Sequence, residues 1–124
     1  MKKRQLVFPE KNYFPESPYD ALRDNLKMNL HTLCLLDVKY DENKYMTIND
    51  GIKILLQIEE KRGEGVFTEK TLCVGCARLG GDEVIKFGTA GGLIKVDFGK
   101  PPHVLIVPAK LHFVEEEALL RYKV

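Results

Sequence analysis

Few residues in this 124-residue chain have a type and spacing that could carry out chemistry. Cys73 and Cys76 form a Cys-x-x-Cys pair, Cys34 stands apart, and His31, His103 and His112 are scattered. A structural zinc site needs four ligands, typically two such pairs, and here only Cys34 and the histidines could complete one. A redox Cys-x-x-Cys belongs at a helix N-terminus, where the dipole lowers the thiol pKa. This pair instead lies inside the apolar run 72–79, which reads as a strand, and strand positions i and i+3 point to opposite faces. The cysteines are therefore read as small core residues, with metal or redox use a weak third alternative. Gly88-Thr89-Ala90-Gly91-Gly92 lacks both the GxxxxGK[ST] phosphate loop and the GxGxxG fingerprint, so it reads as a turn opening a short helix. No GxSxG nucleophile pattern occurs. His103 follows Pro101-Pro102 and opens an apolar strand. Ligands gather at strand ends in α/β sheets, which makes it a fair site candidate. His31 sits at a helix-to-strand joint and reads as a surface or hinge residue. His112 lies near Glu115, Glu116 and Glu117, an acidic first turn that complements a helix dipole; it could cap that helix or set an imidazole near a carboxylate.

The elements that must position these residues alternate. Leu6-Val7-Phe8, stopped by Pro9, suggests an edge or first strand, with Lys2, Lys3 and Arg4 a solvated start. The stretch 12–18, with two prolines and two aromatics, reads as a loop. Ser17-Pro18 fits an N-cap followed by Pro at the first helical position, opening a helix to about residue 28. The run 32–38 suits a central strand covered on both faces. Thr47-Ile48-Asn49-Asp50 resembles a capping box with Asp in place of Glu. It opens the clearest helix, with Ile48, Ile52, Leu55, Leu56 and Ile58 on its buried face and Gly63 and Gly65 as its stop. Gly80-Gly81-Asp82 signals a hairpin between strands 72–79 and 84–88. Thr89 opens a short helix over 90–96, 103–107 is a last strand, and a closing helix covers 114–121. The order β-α-β-α-β-β-α-β-α implies an α/β domain with a mixed, mostly parallel sheet of about five strands and helices on both faces.

Composition agrees with one domain spanning 1–124. Lys plus Arg is 19 and Asp plus Glu is 18, so the net charge of +1 argues against a dedicated nucleic-acid binder. No apolar run reaches the ~18–20 residues that span a bilayer. The basic N-terminus is not followed by a signal-peptide core. Three cysteines in apolar surroundings point to the cytoplasm rather than to a disulfide framework.

Five ordered segments carry more information than any single motif. They are Leu30-His31-Thr32-Leu33-Cys34-Leu35-Leu36-Asp37-Val38-Lys39, Tyr45-Met46-Thr47-Ile48-Asn49, Thr71-Leu72-Cys73-Val74-Gly75-Cys76-Ala77-Arg78-Leu79-Gly80, Val96-Asp97-Phe98-Gly99-Lys100-Pro101-Pro102-His103, and Leu111-His112 followed by Glu115. Val7-Phe8-Pro9-Glu10 and Phe14-Pro15-Glu16-Ser17 add to them. In order and spacing the set resembles the C-terminal half of the diphthine synthases, the diphthamide biosynthesis methyltransferases, which are tetrapyrrole-methylase-like enzymes. The resemblance implies a two-domain, S-adenosylmethionine-dependent, usually homodimeric enzyme with its cofactor in the cleft between the domains. Its substrate would be the amino group of a modified histidine on translation elongation factor 2. It implies that residues 1–124 are the C-terminal domain and that the N-terminal cofactor domain is absent. It also implies cofactor contacts at Leu36, at Ala77 and Leu79 around the Ala-Arg-Leu-Gly turn, and at His103, leaving open which of Ala77 and Leu79 touches the ligand. Methyl transfer to an amine depends on alignment more than on an acid or base, so no catalytic residue is expected. The alternative is a non-catalytic dimerisation or partner-binding module without cofactor affinity.

Overall fold

The computed structural model describes residues 2–7 and 14–124. Phe8, Pro9 and the start of the loop at Asn12 and Tyr13 lie outside the described residues. The main elements are β1 (Lys2–Leu6), α1 (Ser17–Lys27), β2 (Thr32–Leu36), β3 (Val38–Lys39), β4 (Lys44–Tyr45), α2 (Ile48–Arg62), β5 (Leu72–Ala77), β6 (Val84–Thr89), α3 (Ala90–Leu93), β7 (His103–Val107) and α4 (Phe113–Leu120). The strand-helix alternation is the expected one. The added β3–β4 hairpin closes around the polar 40–42 turn. Its two-residue strands are too short to show a period. α1 carries Pro18 in its first turn, but the capping position is Glu16 rather than Ser17. No helix among the described residues is long and apolar enough to cross a membrane.

Five strands form one mixed sheet in the order β1-β2-β7-β5-β6. Only β1–β2 is parallel; β2–β7, β7–β5 and β5–β6 are antiparallel. The expectation of a mostly parallel sheet is thus corrected, and the cause is strand order. β2 and β5 point the same way, as do β6 and β7, so each helical connection keeps its strand direction. But β7 inserts between β2 and β5, so those parallel strands are not neighbours. The first strand also differs from expectation. It starts at Lys2 and pairs along β2 from Lys2↔Thr32 to Leu6↔Leu36. The side chains of Lys2, Lys3 and Arg4 are exposed, as a charged edge strand allows.

Three helices cover one face of the sheet. There Leu6, Cys34, Leu105, Val107, Cys73 and Ala77 pack with Tyr19 and Leu22 of α1, with Ile48, Ile52, Leu55 and Ile58 of α2, and with Leu93 of α3. α2 begins with the anticipated capping box: Asp50 N–H donates to Thr47 Oγ1 and Thr47 N–H donates to Asp50 Oδ2, both at 3.1 Å. It ends at Gly63, whose φ of +64° suits glycine. Gly75 in β5 has no side chain because Phe98 occupies the space. A Cβ there would lie 2.6 Å from the Phe98 ring and 3.1 Å from Ile48 Cδ1. The opposite face carries the smaller cluster Val74, Cys76 and Phe87, covered by Leu111, Leu119 and Tyr122. Cys73 and Cys76 therefore point into different layers, as strand periodicity requires. Burial pushes the Cys34 and Cys73 thiols up to about 12, far from reactive thiolates.

α4 contributes no buried residue of its own. His31 anchors its start: His31 Nε2–H donates to Glu115 Oε2 (3.1 Å), while Ala109 N–H donates to His31 Nδ1 (2.9 Å). Glu115 Oε1 accepts the His112 N–H at 2.9 Å. The His112 backbone donor, then His31, hold the Glu115 carboxyl below its ordinary value of 4.5. A depressed carboxylate contributes stability above its unfolded pKa and loses it as pH falls through the folded one. We expect α4 amides to exchange faster relative to α2 amides below pH ~4. In Glu115→Gln that difference should already exist at pH 6 and change little with acid, as read by hydrogen exchange. Gly75→Ala should lower stability by about 1–3 kcal/mol through overpacking against Phe98, measurable as a lower urea midpoint with an unchanged slope.

Candidate cofactor-binding site

Register brings three of the four candidate residues into one row. β7 pairs with β2 at Leu35↔Val104 and with β5 at Ala77↔His103. One step past the first pair, Leu36 stands beside His103, and His103 stands beside Ala77. Leu6 and Val84 extend the row to the outer strands. This row ends the sheet at the side where β1, β2 and β5 finish and β7 begins. Leu79 lies two residues beyond Ala77.

The four side chains are placed differently. Ala77 is fully buried and His103 is 6% exposed, whereas Leu79 is 58% exposed. Leu36 is half-buried, and its Cδ2 fills the space a side chain on Gly51 of α2 would need. His103 is engaged at both ring nitrogens. Ile48 N–H, at the start of α2, donates to its Nδ1 at 3.2 Å. With Nδ1 accepting, the ring proton is on Nε2 and is donated to the Gly99 carbonyl at 3.0 Å. The Phe98 ring packs edge-on at 5.9 Å. Residue 103 therefore holds α2 and the 97–102 loop in place; its imidazole is not free to take a proton from a substrate.

Sequence patterns do not single out two residues that hold this end of the sheet together. Asn49, inside the capping box, donates from its amide to the carbonyls of Ile94 (2.9 Å) and Val96 (2.8 Å). Arg78, between Ala77 and Leu79, has a left-handed φ of +51°. Its Nε donates to the Asp82 carbonyl and its Nη1 to that of Phe98, both at 2.9 Å, and Nη1 also reaches the Lys100 carbonyl. Its backbone N–H donates to the Pro102 carbonyl at 2.8 Å. No local signal announces a left-handed arginine; the only hint is its place just before Gly80-Gly81.

The donor set suits one wall of a nucleoside site. Leu36 and Leu79 offer apolar surface, and strand-end backbone groups can meet an adenine edge. None of the four candidates lines the cavity of about 450 Å³ bounded by Leu72, Phe87, Pro108, Leu111, Leu120 and Lys123. The apolar hollow of about 280 Å³ under α4, lined by Val74, Ile106 and Leu119, also excludes them. Along this end the side chains of Ala77 and His103 are buried and that of Leu79 is exposed.

Comparison with known proteins supplies context. No family model matches the chain. Over 119 residues, 95% of this chain, it is 50% identical to the diphthine synthase of Methanococcus maripaludis strain C5, of which it covers 47%. It is 49% identical to the diphthine synthase of Methanocaldococcus jannaschii over 121 residues, again 95% of this chain and 47% of that protein. A crystal structure from Entamoeba histolytica, assigned as a diphthine synthase, superimposes with a TM-score of 0.95 at 35% identity, covering 100% of this chain and 51% of that one. A second diphthine synthase crystal structure gives 0.81 at 31% identity, covering 99% of this chain and 45% of the other. The chain spans about half the length of the curated relatives it matches. In sequence and in backbone alike, it corresponds to one half of a diphthine synthase.

Proposed function

We propose that this chain forms the C-terminal half of an S-adenosylmethionine-dependent methyltransferase of the diphthine synthase type, acting in the cytoplasm as a homodimer. Its substrate would be the amino nitrogen of a modified histidine on translation elongation factor 2. The carrying observation is 50% identity to a diphthine synthase over 95% of the chain. The row of Leu36, His103 and Ala77 at one sheet end supports the cofactor assignment.

Each residue then has a defined task. Leu36 and Leu79 present apolar surface to the purine and ribose. Ala77 keeps the strand end flat, because its side chain is fully buried. His103 fixes the edge by joining α2 to the 97–102 loop. Bound S-adenosylmethionine would supply an electrophilic methyl group on a sulfonium. The chain contributes orientation and an apolar, water-poor wall that favours the neutral, nucleophilic amine. A second reading is a dimerising or partner-binding module without cofactor affinity; it draws on the exposed Leu79 side chain at this end of the sheet.

Calorimetric titration of S-adenosylhomocysteine separates the two. We expect no binding to this chain alone and binding once the complementary half of the M. jannaschii diphthine synthase is added. Absence of binding in both cases would favour the module. His103→Ala should leave Ile48 N–H and the Gly99 carbonyl unpaired and lower stability by about 1–3 kcal/mol. His103→Asn, which can accept on one atom and donate from the other, should recover part of that loss in urea unfolding.

A further inference from the structure

We infer that Arg78 is the positioning residue of this edge and acts on it through the imidazole of His103. Four observations converge. Arg78 stands between the two turn residues assigned to the cofactor. Its guanidinium gathers the carbonyls of Asp82, Phe98 and Lys100, which belong to two separate turns. It lies over Gly99, where a Cβ would be 3.3 Å from Nη1 and where φ is +75°. The Gly99 carbonyl, flanked by the two 97–102 loop carbonyls that Arg78 holds, accepts the proton of His103 Nε2. The chain of contacts therefore runs from Arg78 through the 98–100 backbone to His103, and through Nδ1 to the first turn of α2.

The planar fork is essential to this arrangement. Arginine offers five N–H donors in fixed directions and carries its charge at every working pH. A lysine ammonium is a point donor that cannot hold carbonyls from both turns in one plane. Positive φ at Arg78 aims the side chain back across the hairpin mouth rather than along the strand. Loosening the guanidinium frees Gly99, and the Nε2 proton loses its fixed acceptor. The His103 ring then loses its fixed orientation within the row, while the strand register and the core remain.

The functional weight of this inference rests on the proposed cofactor edge, whereas its structural readout does not. The test is nitrogen NMR of the histidine rings in this chain, wild type and Arg78→Lys, with His31 as the internal control. His31 has its own fixed tautomer through Ala109 and Glu115. In the wild type the two His103 nitrogens should give well-separated signals. In Arg78→Lys they should converge as the tautomers exchange, while those of His31 stay in place. Affinity for S-adenosylhomocysteine, measured with the complementary half added, should fall about tenfold. Unchanged His103 signals would overturn the inference, as would His31 signals collapsing together with those of His103. Gly99→Ala acts on the acceptor itself, because its φ of +75° is strained for alanine and its Cβ crowds the guanidinium, and so shows what a lost His103 acceptor looks like. It should reproduce the His103 change; if both variants unfold, Arg78 is a fold determinant and the inference falls. If wild-type protein with both halves binds no cofactor, the function assignment fails while the Arg78–His103 result stands on its own.

Discussion

One hydrogen bond governs this end of the molecule: Ile48 N–H to His103 Nδ1. The first amides of any helix lack partners within the helix. At α2 the capping box satisfies Asp50 N–H through Thr47, but the Ile48 amide is buried where water cannot reach it. Leaving such a donor unpaired costs about 1–3 kcal/mol. The imidazole resolves this and, through its other nitrogen, ties down Gly99. A single ring thus ties the first turn of α2 to the 97–102 loop. Close by, Gly51 packs against Leu36 and Phe98 lies over Gly75.

The far end of α2 is held by a different kind of force. Tyr19 donates to Glu59, which also accepts the N–H groups of Gly65 and Phe67. Burial, the largest single influence, pushes the Glu59 carboxyl up, but these donors together hold it below its ordinary value. Arg62 joins Glu16, Asp20 and Glu64 and lies over the Tyr19 ring at 4.9 Å. Exposed pairs of this kind are individually weak. Their part is to keep α1 and α2 in register while the apolar face supplies the main stabilisation. The buried hydrogen bond at one end and the ionic group at the other hold the helix at two separate points.

Much of this architecture was legible in the residues themselves. The Thr47–Asp50 box, the Gly63 stop, the hairpin at 80–82 and the opposite faces of Cys73 and Cys76 are local consequences of periodicity and φ preference. Strand order is not local. Nothing within residues 103–107 states that β7 slots between β2 and β5, so local pattern overstates the proportion of parallel pairing. The β1 start was hidden for the opposite reason: backbone pairing made a strand of charged residues that no apolar pattern marks. At the site, Pro101-Pro102 before an apolar run drew attention to His103. Leu36, Ala77 and Leu79 rested on family resemblance alone. The His31–Glu115 contact, 84 positions apart, and the left-handed Arg78 are tertiary products that no spacing rule reveals.

The two margins of the sheet are finished in different ways. Tyr122, Lys123 and Val124 run along β6, giving the Phe87 N–H and carbonyl their partners at 2.8 Å each. On the other margin, β1 presents Lys2, Lys3 and Arg4 in succession. A strand approaching these margins meets the paired Phe87 groups on one and a line of cations on the other. Fibril-like growth by adding strands is thereby opposed at both ends of the sheet. Among the described residues the sheet is five strands wide, and its faces and end loops are the surfaces left with side chains to offer.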